Sequence, residues 1–104
     1  MPILVTVLYP QGEFNLDYYL ATHMPLVENT WKNKGLLDWK VAKLGPQADG
    51  SESPYQIEAI LTFESAEKFQ AAAAEDGAAI FGDIPNFTPL KATIVAGESI
   101  ASMK

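Results

Sequence analysis

Four short apolar runs and two longer stretches of helical periodicity, in the order β-α-β-β-α-β, predict an α+β fold with two helices on one face of a four-stranded antiparallel sheet. Three observations carry this reading. Ile3 to Tyr9 (ILVTVLY) is short, β-branched and apolar at successive positions, as a strand covered on both sides must be. Leu16, Leu20, His23, Val27 and Trp31 recur at spacings of three and four, which draws one stripe down a helix. Tyr55, Ile57, Ala59, Leu61 and Phe63 alternate with Gln56, Glu58, Ile60 and Thr62, the period of a strand. At 104 residues the chain is read as one domain, 1–104.

The remaining signals place the elements in order. Pro10-Gln11-Gly12 ends the first strand with turn residues. Asn15 is a helix cap and Gly35 suits the position just beyond the helix end, so the first helix spans Leu16 to about Lys34. Pro25 lies inside it. Lacking an N–H for the Ala21 carbonyl, it should kink or divide the helix two residues after the only histidine. Leu36 to Leu44 reads as a second strand, and GPQADGSESP (Gly45 to Pro54) as a polar loop. Ser65 caps a second, alanine-rich helix. Gly77 is expected to interrupt it, with Asp76 capping a short further piece that Pro85 ends. Leu90 to Ala96 (LKATIVA) is the fourth strand. Residues 97–104 are read either as a loose tail or as an arm packing on a second subunit. The whole order is the ferredoxin-like split βαβ arrangement.

Two helices leave the opposite sheet face bare. The first strand is apolar on both sides, with Leu4 and Leu8 alternating against Ile3, Val5 and Val7, so a lone subunit would expose an apolar patch. A homodimer joined through this open face, in a two-fold contact, would bury it. Gln56, Glu58 and Thr62, with Lys91 and Thr93, would give the space between the sheets a partly polar lining. These side chains could frame a pocket or merely pair with one another and with water.

The net charge of −6 and the absence of cysteine set exclusions. A nucleic-acid partner calls for a basic surface, and so does an anionic membrane surface; neither is expected. No thiol chemistry, disulfide or cysteine-based metal site is available. Residues 1–9 lack the basic start and long apolar core of a signal peptide, and no apolar run approaches a membrane span. A cytoplasmic location is the simplest expectation. One histidine and scattered carboxylates give no metal-ligand spacing. No glycine-rich phosphate loop and no GxSxG elbow occur; the expectation is chemistry without a cofactor, and the sequence leaves haem and flavin open.

His23 is the first candidate for chemistry, because imidazole can act as acid, base or ligand near neutral pH. It shares the inward stripe of the helix and could equally be a buried histidine satisfied by a backbone carbonyl. Tyr19, one turn earlier, could bond a ligand or fill core space. Asp83, in GDIPNFTP, could orient the His23 ring or cap backbone amides before Pro85. Glu58 could be a pocket acid or a solvated strand residue.

The stretch YPQGEFNLDYYLATHMPLV (Tyr9 to Val27) carries Tyr9-Pro10, Phe14, the Tyr18-Tyr19 pair and His-x-Pro-Leu-Val from His23. It resembles the opening motif of EthD-like proteins. FESAEKFQAAAA (Phe63 to Ala74) and DIPNFT (Asp83 to Thr88) resemble the family's second helix and the turn after it. The resemblance covers nearly the whole chain. It implies a dimeric α+β barrel and raises the functional reading of His23 to parity with the structural one. The family takes its name from a gene cluster for degrading ethyl tert-butyl ether, and related folds include cofactor-free monooxygenases, isomerases and haem-handling enzymes. Two expectations follow. One is an enzyme acting on a small hydrophobic organic molecule between sheet and first helix, with His23 as acid–base group, Asp83 as its orienting partner, and Tyr9 and Tyr19 positioning the ligand. The other is a non-catalytic dimeric module that binds such a molecule.

Overall fold

The computed structural model describes residues 2–103. Its strands are β1 (Ile3–Pro10), β2 (Leu36–Lys43), β3 (Tyr55–Phe63) and β4 (Thr93–Glu98). They form one sheet in the order β2-β3-β1-β4, every neighbouring pair antiparallel. The central strands are the two with the strongest apolar pattern, because only they are flanked on both edges. Val5, Tyr9, Ile57, Ala59, Leu61 and Phe63 are buried under the helices. Leu4, Thr6, Leu8, Glu58, Ile60 and Val95 point to the open face, where Leu4 stays 40% and Val95 53% exposed.

The first helical run is continuous but not uniform. A three-residue α segment, α1 (Leu16–Tyr18), leads into a π turn at Tyr19–His23 and then α2 (Met24–Trp31). The Asn15 side chain caps its start by accepting from the Tyr18 N–H at 3.1 Å. The interruption expected at Pro25 takes the form of this wide turn: the Met24 N–H reaches back five residues to the Tyr19 carbonyl. A proline has no N–H to lose and its ring needs room in the preceding turn, so a widened turn there relieves the collision that a regular helix would impose. The extra residue also changes the phase of the stripe. Leu20, expected inside, is 45% exposed, and Tyr19 is buried in its place.

Gly35 follows the helix at φ +105°, and a Cβ there would lie 2.9 Å from the Lys68 side chain. Both facts restrict the position to glycine. Trp31 then ties α2 to α3 (Ala66–Asp83): its indole N–H donates to the Ala72 carbonyl at 3.1 Å, and its ring meets Phe63 edge-on.

Two expectations are corrected. Gly77 does not interrupt the second helix, which runs unbroken from Ala66 to Asp83. Gly77 is buried, and a Cβ on it would press to 2.9 Å from the Phe81 ring, so this glycine makes room for a side chain. The fourth strand begins at Thr93 and extends to Glu98, three residues later than read at its start. Leu90, assigned to it, instead gives its N–H to the Thr88 hydroxyl at 3.1 Å, and Lys91 precedes the strand. The strand ends where its partner ends, with Glu98 opposite Ile3 and the Ser99 N–H on the Pro2 carbonyl. Gly97 and Glu98 therefore belong to the sheet rather than to an arm. Beyond them Ile100 and Met103 are exposed, and Lys104 lies outside the described residues.

Candidate functional site

Between the helix-covered face of the sheet and the helices lies a small apolar cavity of about 40 Å³. That is room for about two or three water-sized groups. Its floor is Val7, Tyr9, Ala59 and Leu61; Tyr19, His23 and Met24 form one wall, and Ile80 and Ile84 another. Phe81 and Ile94 border it while remaining 42% and 44% exposed, so they stand where the cavity meets solvent.

His23 is the cavity's titratable nitrogen base. It closes the π turn and is only 4% exposed. Its ring stacks on Tyr19, centroids 5.4 Å apart and planes at 17°, and leans on Phe87 at 4.7 Å. Nδ1 lies 2.9 Å from Oδ2 of Asp83, the last residue of α3. The other carboxylate oxygen, Oδ1, accepts from the Tyr18 hydroxyl at 2.6 Å and from Nδ2 of Asn86 at 2.9 Å. Burial, the largest single influence, pushes the Asp83 carboxyl up. The hydrogen bonds from Tyr18, Asn86 and His23, with the His23 charge, together outweigh it and hold the group below the usual carboxylate range. Asp83 is therefore ionised at neutral pH and can only accept. The proton in the pair then belongs on His23 Nδ1, which leaves the Nε2 lone pair free. The bond to Asp83 raises the Tyr18 phenol pKa first of all, with burial second.

The chain brings these groups together over long separations. The Asn15 N–H donates to the Phe87 carbonyl at 2.8 Å, and the Thr88 hydroxyl to the Glu13 carbonyl at 2.6 Å. These two bonds clamp the entry of the first helical run to the segment after α3, and so set Asp83 against His23. Tyr9, Tyr19, Phe14 and Phe87 pack edge-to-face beside the pair, with centroids 5.0–6.0 Å apart. Burial pushes the Tyr9 phenol up to about 12, and it raises Tyr19 further still.

Of the residues singled out in the sequence, His23, Asp83, Tyr9 and Tyr19 meet at this one place. Glu58 does not. It points to the open face, opposite Leu8 and Ala42, with the sheet between it and His23. The alternatives set beside His23 and Asp83 take another form here: the histidine is paired to a carboxylate rather than to a carbonyl, and the Asp83 carboxylate bonds side chains. Tyr18 and Asn86 were missed as members of the network. Asn86 stands three residues after Asp83, a spacing that places both on one side of a helical turn; Tyr18 carries no comparable signal. Among the described residues no group of three or more His, Asp or Glu side chains gathers to hold a metal ion. Nor, among them, is any helix long and apolar enough to cross a membrane.

Fold and site together define a ferredoxin-like α+β protein with a histidine–carboxylate pair on the wall of a buried apolar cavity. Residues 13–90 match the EthD domain, and the chain belongs to the EthD family. An EthD-like protein from Ralstonia eutropha JMP134 is 31% identical with a TM-score of 0.86, over 96% of this chain and 93% of that one. More distant structures share the fold. SnoaB, a cofactor-independent oxygenase from Streptomyces nogalater, is 10% identical with a TM-score of 0.67, over 98% and 95% of the two chains. A dimeric ferredoxin-like protein from Jannaschia sp. CCS1 is 18% identical with a TM-score of 0.66, over 95% and 100%. No curated protein sequence matches the chain.

Proposed function

We propose that the chain works as a homodimer that takes a small hydrophobic organic molecule into the cavity beside His23 and transforms it by proton transfer, without a metal. The observation that carries this is His23 on the wall of a mostly apolar cavity, with its Nδ1 2.9 Å from Asp83 behind it. Asp83 holds the proton on Nδ1 and steadies the imidazolium that forms when Nε2 takes a proton from the ligand. A general base placed this way contributes about 10²–10⁴-fold to a rate. The cofactor-independent oxygenase among the fold relatives is consistent with chemistry of that kind. The dimer is supported by the apolar open face and by the dimeric fold relative. A second subunit laid on that face would cover Leu4, Ile60 and Val95 and leave the cavity on the other side of the sheet untouched.

The test is turnover of a panel of small hydrophobic compounds by wild type and His23→Ala, with circular dichroism as the control for folding. Product formation at least a hundredfold lower in the folded variant is expected. Equal rates would remove His23 from the chemistry. Ligand-induced stabilisation that persists in the variant, with no product from either protein, would make the chain a binding module instead.

A further inference from the structure

The cavity holds two polar groups that the proton-transfer reading leaves unused. Tyr9 and Tyr19 each border it and are each only 2% exposed. Neither phenol hydroxyl has a hydrogen-bond partner among the described residues. The contrast with Tyr18 is direct: that hydroxyl, nearer the surface, is held by Asp83 at 2.6 Å. Each hydroxyl keeps a little accessible surface rather than being sealed in unpaired, and the cavity is the open space that both residues border. Tyrosine at both positions, where phenylalanine would fill the same space, points to an acceptor that arrives from outside the chain.

What that acceptor must be follows from the state of the three groups. Burial keeps both phenols neutral far above physiological pH, so each offers an O–H and seeks an oxygen lone pair. An anionic ligand is disfavoured: the rest of the lining is aliphatic and aromatic, no lysine among the described residues borders the cavity, and Asp83 stands behind His23. The third group, His23 Nε2, accepts a proton. Two neutral donors and one base in an apolar enclosure match a neutral molecule that carries a carbonyl oxygen next to a carbon bearing hydrogen.

We infer that Tyr9 and Tyr19 form a donor pair for a ligand carbonyl, and that the substrates of this site are small, uncharged, enolisable carbonyl compounds. The inference rests on the proposed role of His23 and extends it. In the step it describes, the bond between the α-carbon and its hydrogen breaks and the proton passes to Nε2. The electron pair moves into the carbon–carbon bond, and the charge settles on the oxygen, where the two phenols stabilise it. The imidazolium, paired with Asp83, returns the proton to the same carbon or to a conjugated one. When the Nε2 proton exchanges with solvent before it returns to the same carbon, solvent hydrogen replaces the original one; return to another carbon is isomerisation. Neither requires an oxidant or reductant. Donors aimed at a developing oxyanion act most strongly in surroundings of low polarity, and the lining around the two phenols is aliphatic and aromatic.

The experiment is solvent deuterium exchange at the α-carbons of acetone and of butanone, followed by proton NMR in deuterated buffer. 2-Methylpropene, which has the shape of acetone, serves as a probe without an oxygen. Binding of all three is read from shifts in the ring protons of the single histidine. Wild type should bind the ketones and accelerate exchange. Tyr9→Phe and Tyr19→Phe, which keep the aromatic packing, should each slow exchange by about 10²-fold while still binding 2-methylpropene. His23→Ala should abolish the acceleration. If the ketones bind and exchange at the wild-type rate in both phenylalanine variants, the donor pair is wrong and the base survives. If 2-methylpropene binds and no ketone does, or if ketones bind without exchange, the carbonyl class is wrong and the cavity survives. Exchange that is unaffected in His23→Ala overturns the base and the donor pair together, and failure of every probe to bind overturns the site.

Discussion

Replacing Asp83 by asparagine changes one atom and reverses one hydrogen bond. The carboxylate accepts three: at Oδ1 from Tyr18 (2.6 Å) and Asn86 (2.9 Å), and at Oδ2 from His23 Nδ1 (2.9 Å). The amide oxygen of Asp83→Asn can keep the first two at neutral strength. A bond to a charged acceptor contributes about 1.5–3 kcal/mol and a neutral one about 0.5–1.5, so about 1 kcal/mol is lost from each. The amide nitrogen, now facing Nδ1, is a donor against a donor. The pair recovers only if His23 moves its proton to Nε2, which adds about 1 kcal/mol of misfit. The sum is about 3 kcal/mol, or roughly 10–20 °C in Tm for a domain near 100 residues. The Asp83 side chain is only 12% exposed, but the Asn86 bond is exposed and water replaces part of it, so the loss lies toward the lower end of that range. The chain has one histidine, so nitrogen NMR of the ring reads the tautomer without ambiguity: Nδ1–H in wild type, Nε2–H in Asp83→Asn. With Nε2 capped, any activity that depends on it should fall at least about a hundredfold. A wild-type ring already protonated at Nε2, or a variant with unchanged tautomer and Tm, would refute the argument that Asp83 sets the state of His23.

Three further outcomes are expected. The Tyr9 phenol ionises near 10 when unfolded and near 12 when folded, so its contribution is intact below pH 10 and lost as pH rises toward 12; urea midpoints at pH 9 and 11 should differ by about 1.4 kcal/mol from this group, and Tyr9→Phe should shrink the difference. Gly77→Ala should raise Tm by a few degrees, because helix propensity favours alanine by about 1 kcal/mol and the Phe81 ring 2.9 Å away is 42% exposed and can swing outward; a lower Tm would mean that the ring is fixed. Leu4→Lys on the open face should convert a dimer to a monomer in sedimentation at micromolar concentration, and a wild-type chain that sediments as a monomer would remove the dimer.

Period and punctuation made the element order legible. The alternation in Tyr55 to Phe63 puts five side chains on one face whatever the rest of the chain does, and Ser65 and Asn15 cap helices through bonds that span three residues. Where an outcome depended on a distant neighbour, local pattern misled. Gly77 reads as a break until the Phe81 ring is seen to need its space. The end of β4 is set by the length of β1, ninety residues earlier in the chain, and the facing of Leu20 by a π turn that no periodicity of 3.6 anticipates.

By itself the sequence determined the sheet, the helices and the identity of the groups able to do chemistry, because propensity, capping and hydrophobic period act over a few residues. Only the tertiary structure decided that His23 and Asp83, sixty residues apart, form one pair, that Tyr18 belongs to it, and that Glu58 lies across the sheet. Those relations arise when α3 packs against α2 and β3 and the segment after it is clamped to the helix entry by the bonds at Asn15 and Thr88. A hydrogen bond of 2.9 Å depends on that closure, and no short stretch of chain encodes it.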